Sequence, residues 1–156
     1  MGHVLVVHAS RHGSTTEVAQ RIAQRMREAG HDVDAVAARS ARKPLGGYDL
    51  VVLGGALYSG RWHTDAHRFL KRHRGELAGM PVAVFGMGPR RDDPQAWKGS
   101  RLQLDRALSK RDWLHPVAVT VFGGVDPKAK HGQTPRDIRD WPAIDAWADQ
   151  LATIHE

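Results

Sequence analysis

The sequence predicts a doubly wound α/β domain, a parallel sheet of five strands with helices on both faces. Three observations carry that expectation. Short apolar runs alternate with longer stretches along the whole chain. One run, Leu50-Val51-Val52-Leu53, is continuously apolar, as a strand buried on both faces requires. The longer stretches place their apolar residues at helical spacing.

The elements follow in order. His3 to His8 reads as the first strand. Ser14 to Ala29 is amphipathic, with Val18, Ile22, Met26 and Ala29 on one face and Gly30 as the stop. Asp32 to Ala37 alternates polar and apolar, the pattern of a second strand, and Leu50 to Leu53 is the third. Thr64 is placed to cap a helix reaching Arg74, with Phe69 and Leu70 inward. Pro81 introduces the fourth strand, Val82 to Phe85. Arg101 to Ser109 reads as a helix with Leu104, Ala107 and Leu108 inward, and the β-branched run Val117 to Phe122 as the fifth strand. A last helix starts near Asp140, tolerates Pro142 in its first turn, and carries the stripe Ile144, Trp147, Ala148, Leu151, Ile154. No repeat or low-complexity linker interrupts the chain, so residues 1–156 are read as one domain. Two irregular stretches, Gly86 to Gly99 and Gly123 to Pro135, follow strands. Ligands of open α/β sheets bind beyond strand carboxyl ends, which makes both stretches candidates for function.

Composition narrows the chemistry. With 156 residues, 41% hydrophobic and 26% charged, the chain has a globular balance and needs no staple to fold. It contains no cysteine, which excludes disulfides, thiolate zinc sites and thiol catalysis. No apolar run approaches a membrane span, and Val4-Leu5-Val6-Val7 is too short for a signal segment, so a cytoplasmic location is expected. The net charge of +6 favours anionic ligands, but the cations are scattered and no nucleic-acid module is present. A G-x-G-x-x-G turn, a Walker lysine, an H-E-x-x-H and a G-x-S-x-G elbow are all missing. Of ten histidines, His63 and His67 stand one helical turn apart, but spacing suggests no third metal ligand, and His63 reads instead as a helix-entry residue beside a candidate ring surface.

Three strand-to-helix junctions remain. The first reads Ser10-Arg11-His12-Gly13-Ser14-Thr15. A helix starting here presents unpaired N–H groups and partial positive charge; hydroxyls, a glycine and an arginine suit a phosphate. The same run is equally consistent with a Ser/Thr-capped helix holding nothing. The second reads Gly54 to His63 and brackets Tyr58 and Trp62 between glycines, either a stacking surface for a flat ring or ordinary packing. The third, Gly86-Met87-Gly88-Pro89-Arg90-Arg91-Asp92-Asp93, offers backbone groups to a ring edge and two arginines to an anion; its plain alternative is a solvated charge cluster.

Taken together these residues resemble the flavodoxin-like family, and within it the branch that includes the bacterial menaquinone-dependent protoporphyrinogen oxidases (dehydrogenases). The stretches that carry the resemblance are Ser10 to Thr15, Gly54 to His63, His73 through Leu77-Ala78-Gly79-Met80-Pro81, Phe122 to Pro127, and Asp140-Trp141. The resemblance implies a sheet order of 2-1-3-4-5 and FMN as cofactor. Ser10, Arg11, His12, Gly13, Ser14 and Thr15 would surround its phosphate. Ala56, Leu57 and Tyr58, with Trp62 close by, would line one side of the ring, and Gly86, Met87, Gly88 and Pro89 the other. Arg61, Arg90 and Arg91 would suit substrate carboxylates. No catalytic acid or base and no metal are expected, because the flavin carries the electron chemistry. The implied activity is an FMN-dependent oxidoreductase of the protoporphyrinogen or quinone class. The alternatives are an electron carrier without a substrate of its own and a flavin-free binding module. Partners would be small molecules or redox proteins, with peripheral membrane contact open and nucleic acid excluded. The sequence departs from the family twice: the stretch from Gly124 to Pro135 is shorter than the insertion of the membrane-linked oxidases, and the chain is basic where carrier flavodoxins are usually acidic.

Overall fold

The structure is a computed structural model that describes residues 2–10, 13–58, 60–125 and 137–154. Its elements are β1 (His3–Ala9), α1 (Ser14–Glu28), β2 (Asp32–Ala37), a single 3₁₀ turn (Ala38–Ser40), β3 (Leu50–Tyr58), β4 (Arg61–Trp62), α2 (Thr64–Arg72), α3 (Arg74–Leu77), β5 (Val82–Met87), α4 (Pro94–Ser109), β6 (Ala118–Phe122) and α5 (Trp141–Leu151). The sheet runs β2-β1-β3-β5-β6, with these five strands parallel. This is the parallel sheet expected from the sequence, in the strand order that the resemblance implies. A sixth strand, β4, was not expected; it folds back antiparallel on the tip of β3, pairing Leu57 with Trp62 and Tyr58 with Arg61.

Alternation along the strands splits the core into two layers. Val4, Val6, Val52, Ala83 and Phe85 face α1 and α5, where Val18, Ile22, Met26, Ile144, Trp147 and Leu151 meet them. Leu5, Val7, Val51, Leu53 and Val84 face the other way, under Phe69 and Leu70 of α2 and Leu104, Ala107 and Leu108 of α4. Arg21 and Asp145 pair at 2.7 Å across α1 and α5, as Arg25 and Asp149 do at 2.6 Å; exposed pairs of this kind orient the helices more than they stabilise them.

Several boundaries differ from the sequence reading, each for a local reason. β3 does not stop at Leu53 but continues through two glycines to Tyr58. A Cβ on Gly54 would sit 1.9 Å from the Phe85 ring, and one on Gly55 would sit 2.5 Å from Trp62 Nε1. These glycines are strand residues that leave room for rings, not loop residues. The cap of α2 is His63 rather than Thr64, its ring accepting from the Asp65 N–H. The helix closes at Arg72 because His73 leaves the helical conformation, its ring Nε2–H instead donating to the Ala41 carbonyl at 2.6 Å. Gly86 and Met87 belong to β5, and α4 starts at Pro94 rather than Arg101. There Asp93 accepts from the Ala96 N–H at 2.8 Å and Pro94 occupies the first turn, a start signal that Gly99 obscures in the sequence. Ile154 falls past the end of α5 but still packs on the core. Among the described residues no helix is long and apolar enough to cross a membrane.

Candidate functional site

In the parallel ladder Ala9, Gly55, Gly86 and Val121 stand side by side near the carboxyl ends of β1, β3, β5 and β6. Beyond them lies a cavity of about 610 Å³, a size ordinary for small-molecule and cofactor sites. Ser10 and Ser14 border it from the first junction. Ala56, Leu57 and Tyr58 border it from β3, Arg61 and Trp62 from β4, and Met87, Gly88 and Arg90 from the end of β5. The three junctions singled out in the sequence therefore open on one space.

The first junction is a helix start without the usual cap. Gly13 occupies the cap position at φ 83°, a left-handed conformation that glycine alone adopts without strain. Its N–H donates to Ser10 Oγ at 3.2 Å, which folds the loop back on itself. The first helical bond runs from the Glu17 N–H to the Gly13 carbonyl, so the N–H groups of Ser14, Thr15 and Thr16 precede the helical ladder. Among the described residues no side chain caps them, whereas His63, Asp93 and Asp140 cap α2, α4 and α5. The ordinary Ser/Thr cap is thus not what this run forms. Thr15 is fully buried, and its Oγ1 has no hydrogen-bond partner among the described residues. A buried hydroxyl left alone is costly and calls for an explanation. An acceptor-rich group seated on the first turn of α1 would supply one, so hydroxyl, amides and dipole all fit a phosphate. Arg11 and His12 lie outside the described residues.

Arg139 holds this helix start in place. Its guanidinium is bound by the Asp137 carboxylate at 2.7 Å, donates to the Ser14 carbonyl at 3.4 Å and reaches Glu17 at 3.4 Å. The hydrogen bond from Arg139 pulls the Asp137 carboxyl below the usual carboxylate range, and the same bond raises the Arg139 guanidinium further. Behind the loop, His8 Nδ1 and Thr16 Oγ1 are 3.1 Å apart, and burial lowers the pKa of the His8 ring.

The second junction divides its aromatic pair. Tyr58 is 36% exposed at the rim, with the Arg90 guanidinium 5.7 Å from its ring centre. Trp62 is only 2% exposed and is committed to packing: Nε1 donates to the Gly55 carbonyl at 3.2 Å and the ring meets His67 edge-on at 5.5 Å. Tyr58 is the aromatic side chain set to stack, while Trp62 forms part of the cavity floor.

The third junction leaves no room for a side chain at its glycines, of which Gly86 is buried and Gly88 half-buried on the cavity. A Cβ on Gly86 would come within 2.9 Å of Leu57 Cδ1, and one on Gly88 within 2.6 Å of the Ser100 side chain. The Gly88 N–H already donates to the Phe122 carbonyl at 2.9 Å, and the Pro89 carbonyl accepts from Gly124 at 3.0 Å. Gly86 and Pro89 accordingly lie behind the wall, which Met87 and Gly88 form. Arg91 is turned away from the cavity, its side chain 76% exposed and near Asp93.

Four lining residues escaped the site residues chosen from sequence: His63, Thr64, Gly124 and Val125. The first two follow the unexpected strand β4, so the signal was a hairpin hidden by Gly60 at φ 77° and two cross-strand pairs. The last two belong to the stretch after β6, Gly123 to Pro135, which the sequence offers as a candidate for function; residues 126–136 lie outside the described residues.

Comparison with known proteins agrees with this architecture. The flavodoxin domain family profile matches residues 5–129. A curated relative, the protoporphyrinogen IX dehydrogenase [quinone] of Escherichia coli strain K12, is 29% identical over 127 residues, covering 78% of this chain and 68% of its own. Among solved structures, oxidised flavodoxin 1 of Bacillus cereus superposes with a TM-score of 0.66 at 18% identity, over 97% of this chain and 98% of that one. A short-chain flavodoxin associated with a bacterial microcompartment gives 0.70 at 17% identity over the whole of both chains. Strand order, the site at the strand carboxyl ends and the profile match over most of the length agree: this chain belongs to the flavodoxin domain family.

Proposed function

We propose that this chain, as one domain over residues 1–156, holds FMN in the 610 Å³ cavity and acts as an FMN-dependent oxidoreductase of the protoporphyrinogen or quinone class. The observation that carries the reading is the orphaned, buried Thr15 hydroxyl on a helix start whose Ser14 borders the same space as the Ala56–Tyr58 wall. Ser10, Gly13, Ser14 and Thr15 would hold the phosphate, with Arg11 and His12 completing the run. Ala56, Leu57 and Tyr58 would line one side of the ring over the Trp62 floor. Met87 and Gly88 would line the other, backed by Gly86 and Pro89. When bound, FMN supplies the electron transfer, and the chain supplies orientation and charge. Arg61 and Arg90 on the cavity, with Arg91 further out, suit the carboxylates of an anionic substrate such as a porphyrinogen. The name of the Escherichia coli relative supports that substrate class. The reading goes with a cytoplasmic location and with small-molecule or redox-protein partners.

A carrier without a substrate is the second reading. The whole-length match in both directions to a short-chain flavodoxin favours it. FMN titration of the ligand-free protein decides the cofactor: Ser14→Ala plus Thr15→Ala removes hydroxyl bonds worth about 1.5–3 kcal/mol each to a charged phosphate. An unchanged affinity would refute the phosphate site, and a colourless protein that takes up no flavin would leave the binding module. Turnover of protoporphyrinogen IX with a menaquinone by the loaded protein separates enzyme from carrier.

A further inference from the structure

We propose that His63 is a positioning residue for the ring held in this cavity, and that its Nε2–H stabilises the reduced ring more than the oxidised one. The inference rests on the FMN reading above.

His63 joins β4 to α2 and is held from two sides. Its backbone N–H donates to the Ala56 carbonyl at 2.9 Å, which seats it across the hairpin from the cavity wall. Its ring Nδ1 accepts from the Asp65 N–H at 3.1 Å as the cap of α2. A ring nitrogen that accepts from a backbone amide carries no proton, so the neutral imidazole bears its hydrogen on Nε2. Nε2 makes no hydrogen bond to any described residue, although the side chain is only 22% exposed and lines the cavity. The cap position itself would be served better by Asn, Asp or Ser. A residue that caps less well, lines the cavity and leaves its second ring nitrogen unengaged by the described residues points to a use for that nitrogen. Two-electron reduction adds negative charge to the polar edge of a flavin ring. A donor already fixed before the electrons arrive stabilises that charge without reorganising. Arg61 is exposed, whereas His63 is half-buried and held by the helix it caps.

The cap and the donor can be separated. His63→Asn keeps a good helix cap and deletes the Nε2 donor; His63→Asp keeps the cap and adds a negative charge. The measurement is the affinity for oxidised and for anaerobically reduced FMN in wild type and both variants, with urea unfolding as the check on the fold. In His63→Asn the preference for reduced over oxidised FMN should fall about tenfold, the size expected for one hydrogen bond to a charged acceptor. That fall corresponds to a midpoint potential about 30 mV lower for a two-electron couple. His63→Asp should lower it further. Equal loss of affinity in both redox states, or an unchanged potential, would overturn the inference and leave His63 as a cap. Wild-type protein that binds no FMN would overturn it together with the cofactor reading.

Discussion

Replacing Thr15 by valine should move stability and cofactor affinity in opposite directions. Valine keeps the branched shape in a site with no exposed surface, and removes only a hydroxyl that has no partner among the described residues. A buried hydroxyl without a partner costs about 1–3 kcal/mol. Taking the low end, because the first turn of a helix is relaxed more easily than its middle, Thr15→Val should stabilise the ligand-free protein by about 1 kcal/mol. For a chain of this length that is a rise of about 2–4 °C in Tm. With FMN the sign reverses. The lost hydroxyl-to-phosphate bond is worth about 1.5–3 kcal/mol, or roughly 10–150-fold in Kd. Thermal unfolding of the ligand-free protein and a fluorescence titration with FMN give the two numbers. A destabilised ligand-free variant would mean that the hydroxyl serves the protein itself. Unchanged FMN affinity would mean that the phosphate sits elsewhere. Either result refutes the reasoning from the orphaned hydroxyl.

Two further outcomes follow from the packing and the charges. Gly54→Ala puts a methyl into the Phe85 ring, which is fully buried and bounded by Phe122 and Trp147, so it should cost about 3 kcal/mol in urea unfolding; in a Phe85→Leu background the cost should shrink, and equal costs in both backgrounds would remove the steric explanation. His67 is pushed down to about 4, first by burial and then by Arg111 and Lys110. The unfolded chain protonates this ring near its ordinary value, so stability is complete above about pH 6.5 and drains away as the pH falls toward 4. The full linkage would be about 3 kcal/mol, and screening at this half-buried ring reduces it to about 1–2 kcal/mol. Urea midpoints of wild type and His67→Gln across that window check it, and parallel pH profiles would count against it.

Most of the fold was legible because the two periodicities are clean. The continuous run Leu50 to Leu53 could only be a strand covered on both faces, and the stripe from Ile144 to Leu151 could only be a helix lying on it. The first and last helices were placed to within a residue or so at the start by Ser14 and Asp140. What failed was punctuation near the site. Gly54 and Gly55 read as loop, yet they are strand residues whose missing side chains are replaced by the rings of Phe85 and Trp62, residues thirty-one and seven positions away. No local signal reports a partner at that distance. Gly99 concealed the start that Asp93 and Pro94 announce, and β4 is too short to show any period. His63 was legible as a helix-entry residue near the ring, but not as the cap, because a histidine is an uncommon one, and its value lies in which nitrogen the cap consumes.

The same substitution of neighbours for side chains decides what the cavity can recognise. The carboxyl-end wall is built where Leu57 lies against Gly86 and Gly88, and where Ser100 and Trp62 fill the space beside Gly88 and Gly55. Such a wall is close-packed and cannot adapt, since any added methyl meets an atom inside contact distance. Shape selection for a flat ring therefore rests on backbone and buried side chains. Discrimination by charge is left to side chains on the cavity such as Tyr58, Arg61, His63 and Arg90. Changes at those four should alter which anion reacts, or how readily it gives up electrons, with the fold intact. Changes at Gly54, Gly55, Gly86 or Gly88 should cost the fold before they change preference. A variant at one of these glycines that kept full stability while switching ligand preference would break this division between wall and rim.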